Sequence, residues 1–300
     1  MFRATLAAGL LTALAVPAFS QTVSIETATG PAELTAAPET VAVFDIAAAD
    51  TLSALGVPVA GMPAPNYLDY MAPTFDGAEK IGTLFEPDFE VLAAMAPDLI
   101  VAGGRSSAQV EALSQVAPTI DMTIEAGSIV SEARARLDAY GTLFGKQAEA
   151  ADLNAALDAK IAEARAAVSG KGTALVLLTN GGKLSAYGAE SRFGWLHTTL
   201  GLPEAVHDLG AKPHGEAVSF EFIAEADPDW LLVIDRGAAI GQAGEAAAAT
   251  LDNPLVAGTK AAQSGHILYL SPGPLYIAGG GVQSMIGTLD EIAAGFSGNS

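Results

Sequence analysis

Along this chain short apolar runs alternate with segments whose apolar residues recur every three or four positions. Runs of that length read as buried strands, and the three- and four-residue recurrence reads as helices. Val41-Ala-Val-Phe44 is the first strand, and a helix from about Ala48 ends at Leu55-Gly56-Val57-Pro58, where Gly closes the helix and Pro prevents its continuation. A helix over about 88–95, a strand over 98–102, a helix over about 107–116 capped by Ser106 or Ser107, and a strand over 119–122 follow. Residues 21–38 read as a polar lead-in and 63–82 as a loop rich in Pro and aromatic residues. This βα alternation predicts a mainly parallel sheet.

From Ser128 to Val168 the pattern changes. Pro is absent, and Leu137, Tyr140, Phe144, Leu153, Leu157 and Ile161 keep helical spacing. That spacing predicts one long helix, with Gly141 or Gly145 as places for a break; unbroken, it would span roughly 60 Å at 1.5 Å per residue. A second βα series then begins: a strand over 173–178, a turn at Asn180-Gly-Gly-Lys183, and a short strand over 185–187. A helix from near Ser191 ends at Leu200-Gly201-Leu202-Pro203, echoing the stop at 55–58. Residues 243–250 are Ala-rich, helical or loop, and a late strand over 267–270 precedes a final helix over 281–296.

The two series share an internal repeat. The segment from Phe89 to Arg105 reappears 131 residues later as Phe220 to Arg236, with six of 17 positions identical and no gap. Each copy reads as a short helix, a Pro-Asp turn, a buried strand and an arginine at the strand's carboxyl end. Glu90 and Glu221 stand at the other chain end of each unit. Open α/β sheets bind ligands outside the carboxyl ends of their strands, so two facing lobes would set two cations across one cleft. The expected fold is therefore α/β, with two βα lobes of mainly parallel sheet joined by a long backbone helix. The boundaries are an N-terminal lobe over 21–126, a linking helix over 127–169 and a C-terminal lobe over 170–300.

Composition narrows the function. The 300 residues carry 14 Lys and Arg against 34 Asp and Glu, a net charge of −20. Nucleic acids and anionic membranes need clustered cations and are poor partners for such a chain. Residues 1–20 have a positive start, an apolar run from Ala4 to Val16 and small residues at Ala18 and Ser20, the pattern of a cleaved secretory signal peptide. The chain has no cysteine, which excludes disulfides, thiolate chemistry and a lipid carried on Cys.

Arg134, Arg136 and Arg165 fall on the long helix, where a solvated face accounts for them. Arg105, Arg192 and Arg236 lie in Gly-flanked turns at element ends and suit planar contact with oxyanions; surface ion pairs with acids such as Asp235 and Glu190 are the plain alternative. His214 and Tyr276 stand in Pro- and Gly-rich loops and offer N and O donors suited to ferric iron, though lone loop residues of these types are commonly just surface. Gly279-Gly280-Gly281 could present backbone N–H groups to an anion or simply make a tight turn. No GxSxG nucleophile motif is present.

Gly-Gly-Arg105-Ser-Ser, Glu-Ser-Arg192-Phe-Gly, Pro-His214-Gly, Ser219-Phe-Glu221, Val-Ile-Asp-Arg236 and Leu-Tyr276-Ile-Ala-Gly-Gly-Gly together resemble the periplasmic substrate-binding proteins of iron-siderophore ABC importers, in their ferric-catecholate branch. The resemblance runs from about residue 38 to the end and implies the helical-backbone, class III type of binding-protein fold. It implies that Arg105, Arg192 and Arg236 surround a ferric catecholate and that His214 and Tyr276 complete the iron shell when the siderophore offers four donors. It assigns Glu90 and Glu221 to docking on the inner-membrane ABC permease. It further implies a monomeric, non-enzymatic binder with no intrinsic cofactor, since ferric iron arrives as the siderophore complex. Many relatives carry a lipid-bearing Cys after the signal; its absence here implies soluble delivery in the periplasm. Haem or another metal chelate is the alternative ligand, and a secreted siderophore-ester hydrolase the alternative activity.

Overall fold

The structure, a computed structural model, describes residues 21–298 apart from 211, 213, 243 and 245. The signal peptide expected over residues 1–20 lies outside the described residues. Two five-stranded sheets form two lobes. In the first, β3 (Val41–Val43), β4 (Gly61–Met62), β5 (Glu79–Lys80), β6 (Leu99–Ala102) and β7 (Thr119–Asp121) lie in the order β5-β4-β3-β6-β7, all parallel. In the second, β8 (Ala174–Asn180), β11 (Trp230–Asp235) and β12 (Ile267–Leu270) are parallel, while β9 (Lys183–Tyr187) turns back on β8 and β10 (Glu216–Val218) on β9. β8 and β11 are buried along almost their whole length, as strands covered on both faces must be.

The lead-in over 21–38 is not irregular. It forms a hairpin of β1 (Thr22–Thr27) and β2 (Gly30–Thr35), with Gly30 at φ +107° in the turn. Val23 and Ile25 face inward and pack in the same core as Leu137 and Tyr140. The alternation Thr-Val-Ser-Ile-Glu-Thr carries the strand signal, but outward Ser, Thr and Glu make the segment look merely polar.

The long helix predicted over 128–168 is broken. One helix ends at Leu143, and the next runs from Gln147 to Val168. Gly145 takes φ +66°, Lys146 N–H donates to Gly141 O at 2.7 Å, and Gly145 N–H donates to Thr142 O at 3.5 Å. These are the paired bonds of a Schellman motif, which needs a left-handed residue that Gly supplies without strain. The second helix then returns along the first, with Arg134 paired to Asp158 at 2.5 Å and Asn154 Nδ2 donating to Asp138 Oδ1 at 2.8 Å. Gly141 permits the close approach, since a Cβ there would lie 2.8 Å from Ala150 Cβ. Arg136, expected on a solvated face, is instead buried, and its guanidinium donates to Thr123 O at 2.9 Å.

The connector is thus the 22-residue helix 147–168, about 33 Å long at 1.5 Å per residue. Ala150 near its start belongs to the N-terminal core, and Leu157, Ile161, Ala164 and Val168 belong to the C-terminal core. The C-terminal helix Val282–Phe296 lies beside it and likewise contributes Val282 to one core and Met285, Leu289, Ile292 and Phe296 to the other. Its amino end is held from the opposite lobe. Asp50, fully buried on the helix Ile46–Ala54, accepts from Gln283 N–H at 2.8 Å, Ser284 N–H at 3.0 Å and Tyr70 O–H at 2.6 Å. Gly281 makes room for it, because a Cβ there would lie 2.5 Å from Asp50 Cγ. The anion at this Gly run is therefore the protein's own carboxylate. Burial raises the Asp50 pKa to about 7 against these three hydrogen bonds.

Candidate binding site

The repeat explains how the cleft is armed. β6 and β11 are interior strands of their sheets, and each ends in an arginine turn. After β6, Gly104 takes φ +54°, and Ser106, fully buried, accepts Gly103 N–H at 3.0 Å, tightening the turn that carries Arg105. After β11, Asp235 caps the short helix Arg236–Ala239 by accepting Ala238 N–H at 3.0 Å and also accepts Ala247 N–H at 2.9 Å. The Asp235 carboxylate is thereby committed to backbone and leaves Arg236 free.

Three arginines converge on Tyr276, carried by the helix Pro272–Ile277. Arg105 and Arg192 donate to Tyr276 O at 2.8 and 2.9 Å, and Arg236 Nε donates to the Tyr276 hydroxyl at 3.1 Å. Their guanidinium carbons stand 5.1, 4.6 and 6.0 Å from the centre of the Tyr276 ring, within or at the edge of cation–π range. Arg236 Nη1 also donates to Asn180 Oδ1 at 3.3 Å. No described carboxylate pairs with any of the three. Ion pairing on the surface, the plain alternative, is thus set aside for the described residues.

This crowding of charge shifts the titration of the site. Burial pushes the Tyr276 phenol up, but the hydrogen bond from Arg236 and the charges of Arg236, Arg192 and Arg105 outweigh it and hold the group below the ordinary tyrosine value. Burial, reinforced by Arg105, lowers Arg192. The three guanidiniums thus ease loss of the phenol proton, which would leave a hard oxygen donor amid the cations.

A cavity of about 270 Å³ opens here, lined by Arg192, Arg236, Tyr276, His214, Asn180 and Lys183 among others, with no carboxylate among the described residues of its wall. His214 is exposed on the turn before β10, where Gly215 at φ +72° lets the backbone lie against the Tyr187 ring. Arg105 enters the cluster from the other lobe. Among the described residues no group of three or more His, Asp or Glu could hold a metal ion.

Glu90 and Glu221 are exposed in the first turns of the helices Phe89–Met95 and Phe220–Ala226. They are at the far chain end of each unit from its arginine, yet not at the far spatial end. Each helix is a crossover between parallel strands, so it runs antiparallel to them and returns its amino end to the carboxyl face of the sheet. The glutamates therefore flank the same face as the cleft. His197 is buried with Nδ1 3.0 Å from Leu202 O. Asn180, Lys183, Ser185 and Tyr187 were not singled out by sequence. The Asn-Gly-Gly-Lys turn signals a hairpin, and only the sheet order shows which way that hairpin faces.

Two lobes of mainly parallel sheet, a helical connector and a cationic cleft between them define a solute-binding protein. The chain belongs to the periplasmic binding protein family, which it matches over residues 41–273. It is 35% identical over 264 residues to the petrobactin-binding protein YclQ of Bacillus subtilis, covering 86% of this chain and 82% of that protein. The crystal structure of YclQ superposes with a TM-score of 0.86 at 32% identity over 92% of this chain and 99% of that one. The periplasmic catecholate-siderophore binding protein VctP of Vibrio cholerae superposes with a TM-score of 0.85 at 31% identity over 91% and 100% of the two chains. The ferric-anguibactin-binding protein FatB of Vibrio anguillarum is 33% identical over 267 residues, 86% of this chain and 83% of that protein.

Proposed function

We propose that this chain is a periplasmic solute-binding protein that captures a ferric siderophore, of catecholate type, and delivers it to the permease of an ABC importer for iron uptake. The observation that carries the reading is the cluster of Arg105, Arg192 and Arg236, free of described carboxylates in a chain of net charge −20, closed around one tyrosine between two lobes. A ferric tris-catecholate is trianionic, and three guanidiniums balance it. Arginine forks also suit catecholate oxygens, and the fixed cluster needs little ordering on binding. With a siderophore that offers four donors, the Tyr276 phenolate and the His214 imidazole complete the iron shell. The relatives named above for petrobactin, anguibactin and catecholate siderophores support the ligand class.

In this reading Glu90 and Glu221, exposed on the cleft face of the two lobes, are the contacts for the permease. The chain works as a monomer without a cofactor of its own and without catalysis. It reaches the periplasm by a cleaved signal over residues 1–20. Among the described residues no helix is long and apolar enough to cross a membrane.

Tryptophan fluorescence tests the ligand class. Trp195 is buried three residues from Arg192, whereas Trp230 sits at the amino end of β11, stacked on His266 at 4.0 Å and Phe296 at 3.8 Å, so Trp195 is the reporter. Ferric bis- and tris-catecholates should quench it saturably, and a ferric hydroxamate and haemin should not. Equal quenching by haemin would reassign the ligand.

A further inference from the structure

One cation of the cleft is not part of the arginine cluster. Lys183 opens β9 and lines the same cavity as Arg192, Arg236, His214 and Tyr276. Its place is set by the hairpin turn: Asn180 and Lys183 are register partners, and Gly181 and Gly182 between them take φ +55° and +80°. Two-residue hairpins of this type need positive φ at both central positions, which Gly supplies freely. Asn180 accepts from Arg236, so the root of the hairpin is tied to the cluster. From there the strand presents Lys183 at the exposed rim.

Lys183 also differs from the arginines in its bonding. All three arginines donate to acceptors of the protein around Tyr276 or Asn180. Lys183 makes neither a side-chain hydrogen bond nor an ion pair with any described residue, and no described carboxylate lines the cavity beside it. An ammonium is a compact point charge on a flexible stem, suited to one oxygen anion and not to a planar chelate. The cavity therefore holds two kinds of cationic recognition, guanidinium forks around Tyr276 and a single ammonium at the rim.

We propose that Lys183 is a specificity-determining residue that engages a carboxylate on the periphery of the ligand, outside the iron shell, so that the preferred ligands are ferric catecholates bearing such a pendant carboxylate. This rests on the ferric-siderophore reading of the same cleft. The group it meets is an anion that neither iron nor the arginines use.

The test compares two ferric bis-catecholates that differ only in a pendant carboxylate and its primary amide. Both are titrated into the mature protein and its Lys183→Met, Lys183→Arg and Arg236→Ala variants, with thermal melting as the folding control. The wild type should prefer the carboxylate by about tenfold to a hundredfold, the range of one charge-assisted hydrogen bond. Lys183→Met should bring the ratio close to one, and Lys183→Arg should keep most of it. A ratio unchanged in Lys183→Met, or no preference in the wild type, overturns the role of Lys183 while Arg236-dependent binding of both chelates leaves the siderophore reading standing. Binding of neither chelate by the wild type overturns both.

Discussion

The two lobes are built from one repeated unit and furnish the cleft unequally. In each, a helix, a turn and an interior strand lead to an arginine at the carboxyl edge, Arg105 in one lobe and Arg236 in the other. The N-terminal sheet is wholly parallel and adds only Arg105 to the cluster. The C-terminal sheet turns back twice, through β9 and β10, and those antiparallel strands and their turns bring Lys183, Arg192 and His214 to the same face. A hairpin folded onto the edge of a parallel sheet thus places side chains at the cleft that a βα unit alone could not. The repeat sets the symmetry of charge across the cleft, and the departure from the repeat sets its chemistry.

Ligand affinity should follow that inequality. Arg236→Ala removes a cation facing the ligand and the donor that holds the Tyr276 hydroxyl, and is expected to weaken ferric-catecholate binding by about a hundredfold or more. Arg105→Ala should cost less, about tenfold. Equal losses in isothermal titration would break the distinction between the lobes.

Stability should report the place where the lobes are tied. Asp50→Ala leaves two backbone N–H groups and the Tyr70 hydroxyl without their acceptor and should destabilise the protein by about 2–4 kcal/mol, read from denaturant unfolding. Because burial raises Asp50 to about 7 from its ordinary 3.8, the folded state holds this proton more tightly than the unfolded chain. Its contribution to stability is full below about pH 4 and is lost as the pH rises towards 7. The melting temperature of the wild type should therefore gain more between pH 7 and pH 5 than that of Asp50→Ala; parallel pH profiles would deny Asp50 this role.

Tyr276→Phe should sharpen the chemical half of the comparison. It is expected to weaken a ferric bis-catecholate by about tenfold, one charge-assisted hydrogen bond, and to abolish its phenolate-to-iron charge-transfer band, while a tris-catecholate with a filled iron shell changes less. In the iron-free protein the Tyr276 phenol should ionise at a lower pH than an ordinary tyrosine, read by its ultraviolet absorbance, since the arginines hold it below its usual value. The smallest effect expected is on the connector. Gly145→Ala forces a Cβ onto φ +66° and should cost about 1 kcal/mol without changing the ligand preference. A larger loss accompanied by altered affinity would mean that the helical hairpin also sets the spacing of the lobes.

Much of this was written in local pattern. Strand runs, Gly-Pro helix stops and the repeat ending in Arg105 and Arg236 are short-range features, because burial and turn geometry act over a few residues. They determined the two βα lobes, the binding-protein class and the three arginines as candidates. What local pattern could not carry was direction and partnership. Whether Gly141 or Gly145 would break the helix depended on whether the two halves could pack, with Gly141 against Ala150. The anion at Gly281 proved to be Asp50, more than two hundred residues earlier. Glu90 and Glu221 came to the cleft face only because crossover helices run against their strands, and Lys183 joined the site only through the sheet order. The physical reason is common to all four: hydrophobic pattern selects an element and its buried face, whereas hydrogen-bond partners and cleft walls are chosen by elements distant in the chain that meet only when the chain has folded.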